Sequence, residues 1–357
     1  MKPVNLDRGK LDLKRPFFPV AVLAACFIVI VFGSLALWVR SELETPFYNA
    51  AEQEIYIEIP KRASTSRIAG MLADAGVLRH QIPFLLYFRL RNLGRHAQAG
   101  EYRFSGKDTP QRIAQRLLKG DVYFKSITIP EGLTAEETID LLAQNGLGER
   151  NELQQLLWKT DLIKDLNPNA TNLEGYLFPE TYRFGHSANS EIIIKTLVDQ
   201  FRKRIHKVLE SQPHRAASEI PRIVSIASMI EKEVKAKDEG PLVASVFMNR
   251  LQRGMPLACD ATIIYAMKLV GSYKGKLHRS DLVMNSPYNT YLNPELPPGP
   301  IANPGENALR AAINPAKTSY LYYVSRNDGT HQFSKDLKTH ELAVNRYQRS
   351  GARHRPK

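Results

Sequence analysis

Two cysteines are all that the 357-residue chain contains, and they do not make a framework. Cys26 lies in an apolar run near the N-terminus and Cys259 far downstream, so no pairing is expected and no disulfide scaffold is implied. As a nucleophile Cys259 needs a base that no motif nominates, so a small buried or semi-buried residue is expected there. No HExxH occurs and the nine histidines are not spaced as ligands, which argues against a metalloprotease. Neither GxSxG, Walker A nor GxGxxG stands in the context its chemistry requires. No metal and no cofactor are expected. Charge of one sign is in excess, at a net +13. The Lys and Arg residues are nevertheless scattered, clustering only at the termini and around Phe201 to Lys207. No zinc-finger, RNA-binding or basic-zipper pattern accompanies them, so nucleic acid is not expected as a partner. An anionic membrane surface or polymer remains.

One long apolar run is present. Residues 17–39 are uncharged, largely apolar and long enough to span a bilayer. Lys2, Arg8, Lys10, Lys14 and Arg15 precede it against Asp7 and Asp12, and Arg40, Glu42 and Glu44 follow. The positive-inside rule then keeps the N-terminus cytoplasmic and exports the rest. A cleaved signal is the alternative, with Ser34-Leu35-Ala36 as its site. The run is too long for a typical signal and continues past that site, so an uncleaved anchor is expected, with Trp38 at the outer interface.

An internal repeat follows. Ile57-Glu58-Ile59-Pro60 reads as a strand, and the next residues as a helix stopping at Gly76. Seventy residues on, Ile127-Thr128-Ile129-Pro130 and a helix stopping at Gly146 repeat the pattern at the same spacing. Thr134 and Glu137 form a capping box. Between the copies, 83–93 and 109–118 read as helices and 101–104 as a strand. Small α+β units of this kind suit an extended ligand, or serve as a spacer.

Helices are also expected over 154–166 and 192–209. Between them, Leu173 to Phe184 (LEGYLFPETYRF) is rich in aromatics and holds Glu174 and Glu180. Aromatic faces stack on sugar rings and carboxylates bond to hydroxyls, which makes Glu174 and Tyr176 candidates for carbohydrate contact. A core edge with bonded tyrosines is the bland alternative.

The chemistry is expected at 223–260. Ile223, Ile226, Ala227, Ile230 and Val234 make the apolar stripe of a helix, expected to run to Gly240-Pro241. Glu231 and Glu233 lie on its shoulders, about 200° apart, so only one can line a given cleft. Burial at such an edge raises a carboxyl pKa. The wheel does not choose between the two, and Lys235 and Lys237 offer each an ordinary partner four residues on. From Pro287, a stretch rich in Pro, Asn and Tyr reads as a long ordered loop. Leu309 to Ala312 reads as a short helix. Tyr320–Ser325 and His331–Phe333 read as a hairpin about Asn327-Asp328-Gly329.

ASMIEKE…VASVFMNRLQRGMPLACDATIIYA, with LEGYLFPETY before it and SPYNTY…LPPGPIANPG after it, resembles the YceG-like family of endolytic murein transglycosylases over nearly the whole chain. The resemblance implies an α+β protein. Its parts would be a cytoplasmic tail (1–16), a transmembrane helix (17–39), a LysM-like α+β region (40–125), a mainly helical lysozyme-like catalytic domain with β additions (126–350, including the second repeat copy) and a basic tail (351–357). It implies cleavage of peptidoglycan glycan strands at the MurNAc–GlcNAc linkage with a 1,6-anhydro product, by one glutamate acting as acid and then base. An inner-membrane position facing the periplasm, and cell-wall synthases as partners, belong to the same implication. The helix of lysozyme-like transglycosylases registers best with Glu233 as that residue and Glu231 two before it. Val234 departs from the small hydroxyl residue usual after the glutamate. Asn249, Asp260, Tyr288, Asn289 and Tyr291 match motif positions and are expected to bind the N-acetyl sugars and place the C6 hydroxyl. Ala261 and Ala266 replace the usual proline and glycine. Two rivals remain: an anchored scaffold without chemistry, and a hydrolase that needs a second carboxylate from Glu174, Glu180 or Asp260.

Overall fold

Buried tyrosines need partners for their hydroxyls, and two of them reveal how far the internal repeat extends. The computed structural model describes residues 17–47, 54–91, 97–104, 108–210 and 217–349, and the tails assigned above to 1–16 and 351–357 lie outside them. The chain divides into two compact units, Met1–Phe124 and Lys125–Lys357.

The first unit begins with α1 (Phe17–Glu44). Over Val22–Glu44 this helix is long and apolar enough to cross a membrane, and none of it is buried inside the protein. Strand β1 (Ile55–Ile59) then leads to α2 (Thr65–Asp74), whose first turn is capped by the Ser64 hydroxyl accepting from Arg67 N. Helix α3 (Gln81–Leu90), strand β2 (Gly100–Phe104) and α4 (Pro110–Lys119) complete the unit. β1 and β2 pair antiparallel with Ile57 opposite Tyr102. Ile59, Leu72, Phe84, Tyr102 and Leu117 are in its core.

The second unit starts with the same order of elements: β3 (Lys125–Thr128), α5 (Ala135–Gln144), α6 (Arg150–Leu156), β4 (Thr181–Phe184) and α7 (Ser190–Leu209). The capping box is formed, Thr134 Oγ1 accepting from Glu137 N while the Glu137 carboxylate accepts from Thr134 N. Gly76 and Gly146, the two stops, have φ of 74° and 61°, where a side chain would be strained. β3 and β4 pair with Ile127 opposite Tyr182. Tyr102 stacks on Phe104 at 6.2 Å and 18°, and Tyr182 on Phe184 at 5.9 Å and 16°. Each tyrosine donates to the carbonyl four residues back, at Gln98 and Phe178. The repeat is therefore five elements long in each copy. Its second half is displaced because the chain between α6 and β4 is longer in the second copy.

One expected helix, 154–166, is two pieces. α6 ends at Leu156 and a short 3₁₀ turn covers Thr160–Ile163. The Leu157 carbonyl that a continuous helix would use accepts instead from Leu173 N at 2.9 Å.

Helices α8 (Ile220–Glu233), α9 (Gly240–Gln252) and α10 (Asp260–Leu269) form the middle of the second unit. α8 buries Ile223, Ile226, Ala227 and Ile230 as its stripe requires. It stops at Glu233, well short of the expected break. Val234 is already extended, and Gly240-Pro241 opens α9 instead of closing α8. Proline belongs in a first turn, where its missing N–H costs nothing. A long loop with a 3₁₀ turn at Arg279–Val283 leads to α11 (Glu306–Ile313), which starts earlier than Leu309. The hairpin forms as β5 (Tyr322–Ser325) and β6 (His331–Ser334), with positive φ at Asn327 and Gly329. Helix α12 (Leu337–Val344), capped by Asp336, was not expected from the pattern.

Candidate active site

Glu233 is the last residue of α8, so the chain turns away there and its carboxyl is left at a helix end. Glu233 Oε1 accepts from Cys259 Sγ at 3.1 Å, and the Tyr323 hydroxyl of β5 donates to the same carboxyl. Burial pushes the Glu233 carboxyl above the ordinary carboxylate range. The Asp260 charge adds to this, while the Cys259 and Tyr323 donors and the His331 ring oppose it. The residue as a whole is nonetheless only half-buried. Cys259 is 1% exposed, and burial with the adjacent Glu233 holds its thiol protonated, a donor and not a nucleophile.

The loop at 286–293 is bound onto the start of α10. Thr290 O accepts from Ala258 N at 3.0 Å, and Thr290 Oγ1 accepts from Cys259 N at 3.1 Å. Tyr291 then donates its hydroxyl to Asp260 Oδ1 at 2.5 Å. Burial first, and the Asp260 carboxylate second, push the Tyr291 phenol up. Asp260 and Tyr291 thus reach the neighbourhood of Glu233.

Other expected site residues shape the frame. Asn289 is fully buried; its amide donates to Leu282 O and Met284 O, and its Oδ1 accepts from Tyr291 N. Asn249 donates to Thr318 O and Tyr320 O, so it holds the approach to β5 and, through it, Tyr323. Tyr288 packs 4.9 Å from the Tyr265 ring. Glu174 is fully buried, accepts from Ala135 N at 3.0 and 3.1 Å and from the Tyr265 hydroxyl at 3.2 Å, and is pushed up to about 8 by burial. Tyr176 is buried too, accepting from Asn167 and edge-on to Phe201 at 5.0 Å.

Glu231 points to the other flank, as the wheel requires. Its Oε2 accepts from Gly305 N at 2.9 Å, beside a cavity of about 270 Å³ lined with Glu131, Lys235 and Asn307. α8 ends before Lys235 and Lys237, so neither position is four residues on along a continuous helix.

Three contributors were not foreseen. Tyr323 was only a strand residue in the pattern. Glu239 accepts from the His331 main chain at 2.9 Å and pairs with its Nδ1 at 2.6 Å, tying β6 to the start of α9 beside Tyr323. Asn303, 0% exposed, accepts from Leu177 N and donates to Leu133 O and Thr138 Oγ1, joining the IANPG stretch to the second repeat copy. Asparagine in a proline-rich loop was its only signal. Among the described residues, no cluster of three or more His, Cys, Asp or Glu is arranged to hold a metal ion.

A carboxyl raised by burial at a helix end, with a second carboxylate and a tyrosine beside it, has the chemistry to serve as a general acid. The YceG-like family model matches residues 57–346. The chain is 33% identical over 337 residues to the endolytic murein transglycosylase of Bacillus subtilis (strain 168), covering 89% of this chain and 91% of that protein. It is 25% identical over 328 residues to the endolytic murein transglycosylase of Streptococcus pneumoniae (serotype 2, strain D39), covering 84% of this chain and 59% of that protein. A crystal structure of a yceG-like protein from Listeria monocytogenes superposes with a TM-score of 0.54 at 31% identity, over 82% of this chain and all of that one. The chain belongs to the YceG-like family.

Proposed function

We propose that this protein is an endolytic lytic transglycosylase of peptidoglycan, anchored in the inner membrane by α1, with the remainder in the periplasm and Glu233 as its acid and base. The observation that carries the reading is the Glu233 carboxyl. It is desolvated and raised, in a residue that is only half-buried, where Asp260, Tyr291 and Tyr323 meet. Family membership and the names of the relatives supply the substrate class.

The chemistry closes on one residue. Protonated Glu233 gives its proton to the glycosidic oxygen as the C1–O bond breaks, and the leaving sugar departs as an alcohol. The MurNAc C6 hydroxyl then attacks C1, and its proton returns to the Glu233 carboxylate. A 1,6-anhydro end forms, no water is consumed and the acid is restored. Asp260 adds to the burial that raises the Glu233 carboxyl, and its negative charge favours the positive charge that develops at C1. Tyr288 and Tyr291 offer ring faces and hydroxyls to the sugars, while Asn249 and Asn289 hold the loops that carry the site. Residues 40–125 serve as a LysM-like glycan-binding region, and 126–350 as a lysozyme-like catalytic domain. An anchored enzyme acts on nascent strands near the membrane, beside the cell-wall synthases.

A hydrolase is the second reading, favoured by one observation. Of the three acids that were candidates to assist, Asp260 alone neighbours Glu233. Glu174 is tied to Ala135 and Tyr265, and Glu180 is held by Arg204 at 2.9 and 3.0 Å. Digestion of purified peptidoglycan with mass analysis of the new ends tests both. Anhydro ends are expected; reducing ends would move the reading to hydrolysis; binding without release would make the protein a scaffold.

A further inference from the structure

Helix α3 is apolar around most of its circumference, with Gln81 and Arg89 its exposed polar residues, unlike the surface helix of a soluble domain. Phe84 and Phe88 turn into the core of the first unit. Ile82, Leu86 and Leu90, spaced at i, i+4 and i+8, form a second stripe. Ile82 is 60% exposed and Leu90 82%, with Leu86 half-buried. Between Gln81 and Arg91 the only charges are Arg89 and Arg91, both exposed and both positive.

The stripe has a position relative to α1. At the start of α3, His80 lies 3.4 Å from Glu42, its ring 5.8 Å from Trp38, and Pro83 shares a groove with Thr45 and Phe47. At its other end, Leu86, Leu90 and Arg91 share a groove with α1 that extends back to Phe32 and Leu35. α3 therefore runs back along α1, toward its apolar half. Leu90 is ten residues beyond His80, about 15 Å at 1.5 Å per residue. If Trp38 marks the outer interface, Leu90 lies on the order of 10 Å to its lipid side.

We infer that the Ile82–Leu86–Leu90 stripe is a membrane-docking surface, immersed in the outer leaflet of the bilayer that α1 crosses, with the long side chains of Arg89 and Arg91 reaching outward to anionic headgroups. The inference rests on the anchoring proposed above. Continuity with α1 and the exposed pair Arg89 and Arg91, with Glu44 of the shared groove already paired to Arg40, select lipid as the occupant. A second membrane contact beside the anchor fixes the first unit against the bilayer surface, where a single helix would leave it to swing.

The test uses the full chain in nanodiscs of phosphatidylcholine and phosphatidylglycerol. Cys26→Ser removes the accessible thiol, and Cys259 is buried and protonated. Leu90→Cys, Phe27→Cys and Glu58→Cys each then carry an environment-sensitive fluorophore, and lipids with spin-labelled acyl chains act as quencher. Quenching at Leu90 is expected to approach that at Phe27 and to exceed that at Glu58 several-fold. Arg89→Gln with Arg91→Gln is expected to reduce it. Quenching at Phe27 with none at Leu90 would overturn the inference and leave the anchor standing. A blue-shifted but unquenched probe at Leu90 would mean that protein covers the stripe, and would also overturn it. No quenching at Phe27 would remove the anchor and the inference together.

Discussion

Cys259 Sγ lies 3.1 Å from Glu233 Oε1, and the thiol donates to the acid on which the proposed chemistry depends. The residue after it, Asp260, acts on the same carboxyl in the opposite direction, so neighbouring positions at the start of α10 hold Glu233 in balance.

That balance predicts two opposed pH profiles. Bond cleavage needs protonated Glu233, so activity falls as pH rises through its raised pKa. Asp260→Asn removes a charge that raises this pKa, and the alkaline limb of kcat/KM should move to lower pH. Cys259→Ala removes a donor that lowers it, and the limb should move to higher pH. Losing the thiol should cost less than about tenfold on the acid plateau, since one neutral hydrogen bond is worth about 1 kcal/mol. Limbs moving in the same direction would contradict the arrangement.

Glu174 predicts a pH-dependent stability. Its carboxyl is raised from 4.5 to about 8 by burial. Between those values the folded protein holds a proton that the unfolded chain releases, so this group's contribution to stability is lost as pH rises from about 5 to 8. Glu174→Gln imitates the protonated form, keeping an acceptor for Ala135 N. Its Tm should therefore fall less than the parent's over that range. Parallel Tm–pH curves for the two proteins would refute the assignment.

Asn303→Ala should destabilise the second unit. It leaves the buried Leu177 N–H without an acceptor, at a cost of about 1–3 kcal/mol. In a unit of this size that lowers Tm by roughly 2–4 °C per kcal/mol, measurable by calorimetry. Asn303→Asp should be no better, because an oxygen would then face the Leu133 carbonyl.

How much of this was legible depends on whether the signal is local. The strand–helix start of each copy could be read because its proline, cap and glycine recur at a fixed spacing, and the structure forms both. The first Tyr-Arg-Phe strand could be read at 101–104, but its match at Thr181–Phe184 could not, since the longer connection before β4 shifts it out of phase. The end of α8 was missed because Val234 continues the apolar period, and because Gly240-Pro241, a helix start, looks like a stop. The wheel placed Glu231 and Glu233 on separate flanks, and so they are. No local pattern shows that Tyr323, far along the chain, meets Glu233, since only the packing of the hairpin brings the two together. Pattern could not show that Asn249 and Asn289 spend their amides on main-chain carbonyls, for that depends on the loop each one closes.

The central claim is that one glutamate, Glu233, performs the cleavage. The most direct measurement is the release of anhydro-ended fragments from purified peptidoglycan by the parent, Glu233→Gln and Glu231→Gln, with folding checked by Tm. The account predicts that Glu233→Gln loses at least 10²-fold, about the least that loss of a general acid costs. Glu231→Gln, still able to accept from Gly305 N, should stay within about tenfold of the parent. Loss of activity in Glu231→Gln with Glu233→Gln still active would contradict it.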